Sequence, residues 1–411
     1  MAFRWKIQRK LPVTGRLAVH NTSASVIYRA GWVVCDPWTI YPNGFVHVAN
    51  GLIREVGSRT GAGAGAGHIP TIDCGDGVIF PALVNAHTHL ELSALKGSLS
   101  TENGFTGWVQ ELLRKRELLT SDDLLTAATS ALAEMIASGC GAVGDISTLG
   151  TTWNCLRNSG MSGVWFHEFL GSRIPEIAIE ESPHHDLRMS LAGHAPHTTA
   201  PDVLKAIKTR LQRRHLPFSI HLAESAEEVQ FLKTASGKWK DFLMSRGIDP
   251  ASWGLPASSP VRYMQRTGIL DPQTILVHVL HADGPDMDII RGSGAHICIC
   301  PRSNMALHQR LPDLTTMLKT GVRLCIGTDS LASVESLNLL DEMRFISLRF
   351  PAAPPATIFE MATCGGAQAL GIDAHLGSLT PGKMGKLAYS PAKASRASDV
   401  LNTIIHNTTT S

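Results

Sequence analysis

The sequence predicts an α/β fold: a (β/α)8 barrel with a small β-sandwich domain built from the N- and C-terminal segments. Three observations carry that expectation. Eight short apolar runs alternate with helical patterns from Val78 onward, residues 26–56 read as paired strands, and polar side chains recur at one end of the apolar runs. The 411 residues leave room for a ~250-residue barrel of the TIM type and a smaller module beside it. The division expected is 1–78 and 375–411 for the β domain, with 79–374 for the barrel.

The N-terminal segment reads as β structure. Val26–Val34 is a mixed run, and Phe45–Ala49 leads through Asn50-Gly51 into Leu52–Val56. An Asn-Gly pair between two such runs is a strong hairpin signal, since both turn residues must tolerate positive φ. Gly61–Gly67 (GAGAGAG) offers no side chains to pack and reads as a surface loop. The barrel strands are then expected at Val78–Ala86, Ala142–Ile146, Gly163–Phe166, Met189–Ala192, Phe218–Ile220, Thr274–Val277, His296–Cys300 and Val322–Ile326. Between them lie helical patterns such as Ser121–Ala137, with Ser121 as N-cap and Gly139 beyond its end, Pro201–Arg214 and Leu337–Leu348. Continuously apolar strands alternating with helices indicate a parallel sheet covered on both faces. Eight units favour closure into a barrel, and no Gly-x-Gly-x-x-Gly follows the first strand to suggest a dinucleotide fold. The segment after Ala374 is too short for a domain and is expected to complete the N-terminal β module.

Composition narrows the function. Apolar residues make up 44% and charged residues 18%, as in a globular protein with a large core. A net charge of +2 gives no electrostatic basis for nucleic-acid binding, and no apolar run reaches the ~18–20 residues that span a bilayer. The first 35 residues carry Arg4, Lys6, Arg9, Lys10, Arg16 and Arg29 without an acid, but no apolar core of a signal peptide and no Ser-rich stretch. A cytoplasmic protein is the expectation, acting on a small molecule, with a homodimer left open. The eight cysteines form no Cys-x-x-Cys pair, and Cys298 and Cys300 alternate with Ile297 and Ile299 as small core residues.

Side chains at the C-terminal ends of barrel strands converge on one mouth. The first strand ends in Asn85-Ala86-His87-Thr88-His89, the fifth in His221-Leu222-Ala223-Glu224, the sixth in Val277-His278 and the eighth in Gly327-Thr328-Asp329. His87, His89, His221 and Asp329 offer three imidazoles and a carboxylate, a donor set suited to Zn²⁺ or Fe²⁺. His87 and His89 are two residues apart on an extended segment and so point the same way. A lone strand-end histidine is more often a hydrogen-bonded structural residue, and His-x-His by itself decides little. The weight lies in four such residues at the same end of separately predicted strands. His281 competes with His278, which sits directly at the strand end and is favoured. His308 reads as an ordinary loop residue, His184, His185 and His215 have no supporting context, and His194 could reach the mouth.

The stretch Phe80-Pro81-Ala82-Leu83-Val84-Asn85-Ala86-His87-Thr88-His89 resembles the signature of the amidohydrolase superfamily. So do His221-Leu222-Ala223-Glu224-Ser225, Cys300-Pro301-Arg302-Ser303-Asn304, Ile326-Gly327-Thr328-Asp329-Ser330-Leu331-Ala332-Ser333 and Gly377-Ser378-Leu379-Thr380-Pro381-Gly382-Lys383. The similarity runs from about Ile27 to about Leu387 and is greatest to the deaminase branch, which includes methylthioadenosine/S-adenosylhomocysteine, guanine, cytosine and aminodeoxyfutalosine deaminases. His87-Thr88-His89-Leu90-Glu91-Leu92-Ser93 is most similar to the aminodeoxyfutalosine deaminases of menaquinone biosynthesis.

The resemblance implies one divalent ion per chain, zinc first, with iron and manganese as alternatives, held by His87, His89, His221 and Asp329. It implies Glu224 as general acid/base, His278 as the residue polarising the reacting groups, Asp329 as a second participant in catalysis, and His197, Glu117, Arg173 and Glu91 as substrate contacts. No lysine ends the fourth strand, where His194-Ala195-Pro196-His197 stands, so a carboxylated-lysine two-metal site is not expected. Met384-Gly385-Lys386 departs from the superfamily's usual Ala-Asp pair. The implied reaction is hydrolytic deamination of an adenine-type nucleoside, aminodeoxyfutalosine foremost. The alternatives are another deaminase substrate of the branch, a C–Cl or amide hydrolase with the same site, and a non-catalytic scaffold that would have lost its ligands.

Overall fold

A computed structural model describes residues 15–17, 25–58, 69–173, 179 and 186–407. The Gly61–Gly67 repeat, His184 and His185 lie outside the described residues. The chain enters through a mixed seven-stranded sheet: β1 (Gly15–Leu17), β2 (Ser25–Asp36), β3 (Thr39–Ala49), β4 (Leu52–Ser58), β5 (Thr71–Asp73) and β6 (Val78–Pro81), completed by β15 (Leu387–Ser390) from the other end. The β3–β4 hairpin turns at Asn50 and Gly51, both at positive φ (55° and 73°), as the Asn-Gly pair predicts. β15 pairs antiparallel with β1 and β6, which ties the C-terminal return into this sheet.

Eight parallel strands follow in chain order: β7 (Leu83–Thr88), β8 (Cys140–Ser147), β9 (Ser162–Phe169), β10 (Leu187–Gly193), β11 (Phe218–Leu222), β12 (Thr274–His278), β13 (His296–Ile299) and β14 (Arg323–Ile326). β7, β8, β11 and β12 are buried at every position, as strands covered on both faces must be. Helices α1 (Gly104–Arg116), α2 (Ser121–Ala137) and α3 (Trp153–Asn158) lie in the crossovers between β7 and β9, and α4 (Pro201–Gln212), α5 (Ala226–Thr234), α6 (Lys238–Ser245) and α7 (Pro260–Thr267) in those between β10 and β12. α8 (Gly284–Ser293), α9 (Pro301–His308), α10 (Leu314–Thr320), α11 (Leu339–Arg349), α12 (Pro355–Met361), α13 (Cys364–Ala369) and α14 (Val400–His406) complete the set. Among the described residues no helix is long and apolar enough to cross a membrane. Cys298 and Cys300 are fully buried thiols, as their apolar surroundings suggest.

Three of the boundaries that differ from the sequence reading have a clear physical cause. The run Val78–Ala86 is two strands: β6 joins the small sheet, and the chain changes sheet at Ala82, after Pro81, before β7 begins. α2 is capped by Thr120, not Ser121, because Thr120 and Asp123 form a reciprocal capping box. Cys300 leaves the seventh barrel strand to precede α9, where Pro301 at the first helical position suits a helix start.

The barrel closes where β14 meets β7. Thr328 N–H and Asp329 N–H both donate to the His87 carbonyl, at 3.0 and 3.1 Å, and Thr88 Oγ1–H donates to the Asp329 carbonyl at 2.7 Å. Asn85 fastens the same seam, donating to Thr328 Oγ1 at 2.8 Å and accepting from Thr328 N–H at 3.2 Å. Gly327 makes this approach possible. A Cβ there would stand 2.6 Å from the His87 carbonyl oxygen, 2.7 Å from His87 Cβ and 3.0 Å from Cys298 Sγ.

Gly327→Ala is therefore expected to force the seam apart at a cost of about 1–3 kcal/mol, the usual range for overpacking a buried position. Denaturant unfolding beside the wild type checks this, and an unaltered midpoint would show that the seam tolerates a methyl group.

Candidate active site

Closure of the barrel places Asp329 against the two histidines that end β7. Asp329 Oδ1 lies 3.9 Å from His87 Nε2 and 3.8 Å from His89 Nε2. Ligand atoms of His87, His89 and Asp329 lie within 4.8 Å of one another, as do those of His87, His221 and His278. The rings pack edge to face and in stacks, His87 on His89 at 4.8 Å, His89 on His221 at 5.5 Å and His221 on His278 at 5.3 Å. His89, His221 and Asp329 are thus all gathered around His87.

Their protonation suits a cation. Burial, reinforced by the neighbouring imidazoles, holds His87 well below its ordinary value, and burial brings His89 down to about 4. Neutral rings with available lone pairs are what a metal requires. His221 Nδ1–H donates to the His194 carbonyl at 2.8 Å, which leaves Nε2 free for the cluster. Both ring nitrogens of His87 are buried without a hydrogen-bond partner among the described residues. A buried imidazole so orphaned is costly unless something else accepts its lone pair. The four residues therefore fit a divalent ion, with Ser303 Oγ–H bracing Asp329 Oδ2 at 2.5 Å.

A second group faces the same space. Glu224 follows β11 beyond Ala223, a non-glycine residue at φ +51°, and His278 ends β12 at φ +74°. Asp329 is also left-handed, at φ +60°. Conformations this uncommon, gathered at three strand ends, indicate backbone strained to aim side chains. His278 Nε2 lies 3.6 Å from Glu224 Oε1, and Asn304 Nδ2–H donates to His278 Nδ1 at 2.7 Å, so the proton of the neutral ring sits on Nε2, towards Glu224. Burial alone would raise the Glu224 carboxyl, but His278 and a hydrogen bond from His308 hold it well below the usual range. Glu228 fixes the turn: its carboxylate accepts from Ala223 N–H at 2.8 Å and Glu224 N–H at 2.9 Å, and burial lifts it to about 8.

The cavity over these groups has an apolar wall from α1, where Phe105, Trp108, Val109, Leu112, Leu113 and Arg116 face inward at helical spacing. His197 lines it, fully buried, its ring 4.5 Å from that of Trp239, its Nδ1 3.8 Å from Glu228 Oε2 and neither nitrogen hydrogen-bonded among the described residues. Glu91 lines it too, but Ser147 Oγ, Thr148 N and Leu149 N occupy its carboxylate at 2.6, 2.8 and 3.1 Å. Two of the expected substrate contacts do not line the described cavity. Glu117 caps the end of α1 and is exposed outside the cavity, because the helix stops at Arg116. Arg173 is exposed beyond the end of β9 and does not line the described cavity.

Sequence reasoning missed three contributors. His308 is no ordinary loop residue: it ends α9, with Nε2 3.1 Å from Glu224 Oε1. Glu168, near the end of β9, lines the cavity, and burial raises it to about 7. Glu228 had a signal in Ser225-x-x-Glu228, the spacing of a capping box, although its carboxylate reaches further back than that motif implies. His194 lines the cavity, as its place at the mouth allowed, whereas His281 stays outside the described lining.

The chain is similar in sequence and in fold to known proteins. The model of the family described as "Amidohydrolase family" matches residues 171–406, more than half of the chain. A 5-methylthioadenosine/S-adenosylhomocysteine deaminase of Syntrophobacter fumaroxidans is 29% identical over 401 residues, covering 88% of this chain and 87% of the relative. The crystal structure of Helicobacter pylori aminofutalosine deaminase in complex with methylthio-coformycin superposes with a TM-score of 0.82 at 24% identity, covering 92% of this chain and 96% of that one. The zinc-bound crystal structure of an adenosine deaminase from Xanthomonas campestris gives a TM-score of 0.75 at 21% identity, covering 93% and 89%.

His221→Ala is expected to abolish stoichiometric binding of zinc, read by elemental analysis after gel filtration. Ser303→Ala, which removes only the brace on Asp329, should weaken zinc binding by roughly 10–100-fold in a competitive chelator titration. Full zinc retention in His221→Ala would remove that residue from the ligand set.

Proposed function

The chain belongs to the amidohydrolase family, and from that premise we propose that it is a metal-dependent aminohydrolase acting on an adenine-type nucleoside. The observation that supports this most is the meeting of two groups on one cavity wall: the His87–His89–His221–Asp329 cluster, and a buried carboxylate–imidazole pair, Glu224 and His278, 3.6 Å apart. A divalent ion, zinc by the chemistry of the donor set, would be held by His87, His89, His221 and Asp329 and would supply the Lewis acidity that makes water nucleophilic near neutral pH.

The protein groups account for the remaining proton movements. Glu224, ionised before reaction, takes the proton of the attacking water and delivers it to the ring nitrogen beside the amino-bearing carbon, which makes that carbon electrophilic. His278 donates from Nε2 to the charge that develops at the attacked carbon. Asp329, steadied by Ser303, orients the attacking oxygen through its second carboxylate oxygen. The attacking oxygen's remaining proton passes to the amino nitrogen, the carbon–nitrogen bond breaks, ammonia leaves, and the ring keeps the water oxygen as a carbonyl. His197, buried against Trp239 with neither nitrogen hydrogen-bonded among the described residues, supplies polar contacts to the base.

The finer reading is aminodeoxyfutalosine, with a role in menaquinone biosynthesis. Support comes from the His87–Ser93 stretch, from the name of the Helicobacter pylori relative, and from the α1 wall. An aryl carboxylate on the sugar would meet Phe105, Trp108 and Leu112, with the Arg116 guanidinium beside them. The name of the Syntrophobacter relative favours methylthioadenosine or S-adenosylhomocysteine instead.

Ammonia release by the zinc-loaded protein from aminodeoxyfutalosine, methylthioadenosine, S-adenosylhomocysteine, adenosine, guanine and cytosine separates these substrates. Turnover of at least one adenine nucleoside is expected. Silence across the panel with zinc bound would direct the same site to another hydrolysis, and silence without bound zinc would sink the enzyme reading. Glu224→Gln should lower kcat by about 10²–10⁴-fold while zinc stays bound, and a near-normal rate would exclude Glu224 from proton transfer.

A further inference from the structure

Four carboxyl side chains line the cavity among the described residues: Glu91, Glu168, Glu224 and Asp329. Three are already engaged. Asp329 faces the histidine cluster and is braced by Ser303, Glu224 meets His278 and His308, and both oxygens of Glu91 accept hydrogen bonds from the turn after β8. Glu168 differs. Its Oε2 accepts from Thr148 Oγ1–H at 2.9 Å, but among the described residues no hydrogen bond reaches Oε1, although the residue is only 5% exposed. The approach of His221 Nδ1, 3.9 Å away, does not supply one, since that N–H already donates to the His194 carbonyl at 2.8 Å.

Oε1 is thus an acceptor presented to the cavity, open to a donor from a ligand that fills it. A second cation is the weaker explanation. Glu168, His194 and His221 do bring ligand atoms within 4.8 Å of one another, but the Nδ1 proton of His221 is committed and removes one of the three donors. His194 stands beside Glu168 with its Nδ1 tied to Thr198 Oγ1 at 2.6 Å. Ring and carboxylate therefore form a fixed polar patch on a wall that α1 otherwise makes apolar.

We propose that Glu168 is a specificity-determining residue, whose free Oε1 accepts a hydrogen bond from a hydroxyl of the substrate's sugar, with His194 adjoining the second hydroxyl of a vicinal diol. This rests on the nucleoside reading above. It gives Glu168 the part that the sequence assigned to Glu117, which the structure leaves outside the cavity. A hydroxyl can donate to Oε1 whether or not the carboxyl carries a proton on Oε2.

The test compares kcat/KM for the riboside with that for its 2′,3′-dideoxy counterpart, in the wild type and in Glu168→Ala. The wild type should favour the riboside by roughly 10–100-fold, the value of a hydrogen bond to a charged group. In Glu168→Ala that ratio should fall towards one, mainly through KM for the riboside. Glu168→Gln keeps one acceptor and the side-chain volume, so its ratio should lie between the two, which preserves the test if the alanine variant fails to fold. A wild-type ratio near one, or a ratio unaltered in both variants, overturns the assignment while the nucleoside reading stands. Failure of the wild type to deaminate any nucleoside overturns that reading, and this assignment with it.

Discussion

The site depends on one backbone junction. The His87 carbonyl accepts from both Thr328 N–H and Asp329 N–H, and this pair of bonds joins the last barrel strand to the first. The same junction carries Asp329 to within 4 Å of His87 and His89. A parallel barrel must close between its ends, and here the closing bonds and the candidate ligand cluster share residues. Gly327 enters the junction without a side chain because His87 and Cys298 leave no space for one. Stability of the barrel and geometry of the site are therefore coupled at this point.

Electrostatics follows from how deeply the junction is buried. Burial keeps His87 and His89 neutral at physiological pH, so their lone pairs are available without competition from protons. Burial pushes Glu228 up to about 8 and Glu168 to about 7, while the imidazoles around Glu224 hold that carboxyl down. Three carboxyl groups in one region are thereby driven apart in acidity, as acid–base chemistry near neutral pH requires. Glu228 contributes through the backbone, since its hydrogen bonds to Ala223 N–H and Glu224 N–H hold the left-handed turn that aims Glu224.

Much of this was legible in the chain because it lies in local pattern. His87, His89, His221, His278 and Asp329 each stand at the end of an apolar run, and the period of a strand places successive odd positions on one side. Where sequence reading failed, the deciding contact was long-range or rotational. Val78–Ala86 looks like one strand, yet β6 finds its partners in β15 and β2, and nothing within the run shows that. Glu117 was chosen by its distance along the chain from Trp108, but its side depends on where α1 ends. Glu168 sits in an aromatic-rich strand that reads as core, and His308 meets Glu224 only because α9 folds back over the mouth, 84 residues later in the chain.

The central claim is that the seam at His87 and Asp329 assembles a hydrolytic deamination site that needs a divalent ion. Its most direct test is to strip the protein with a chelator, restore zinc, and follow an adenine nucleoside in ¹⁸O-labelled water. The account predicts that ammonia release disappears on stripping and returns with zinc, with the label entering the product at the carbon that lost its amino group. Ammonia release that persists in the stripped protein, or a product without label, would contradict it.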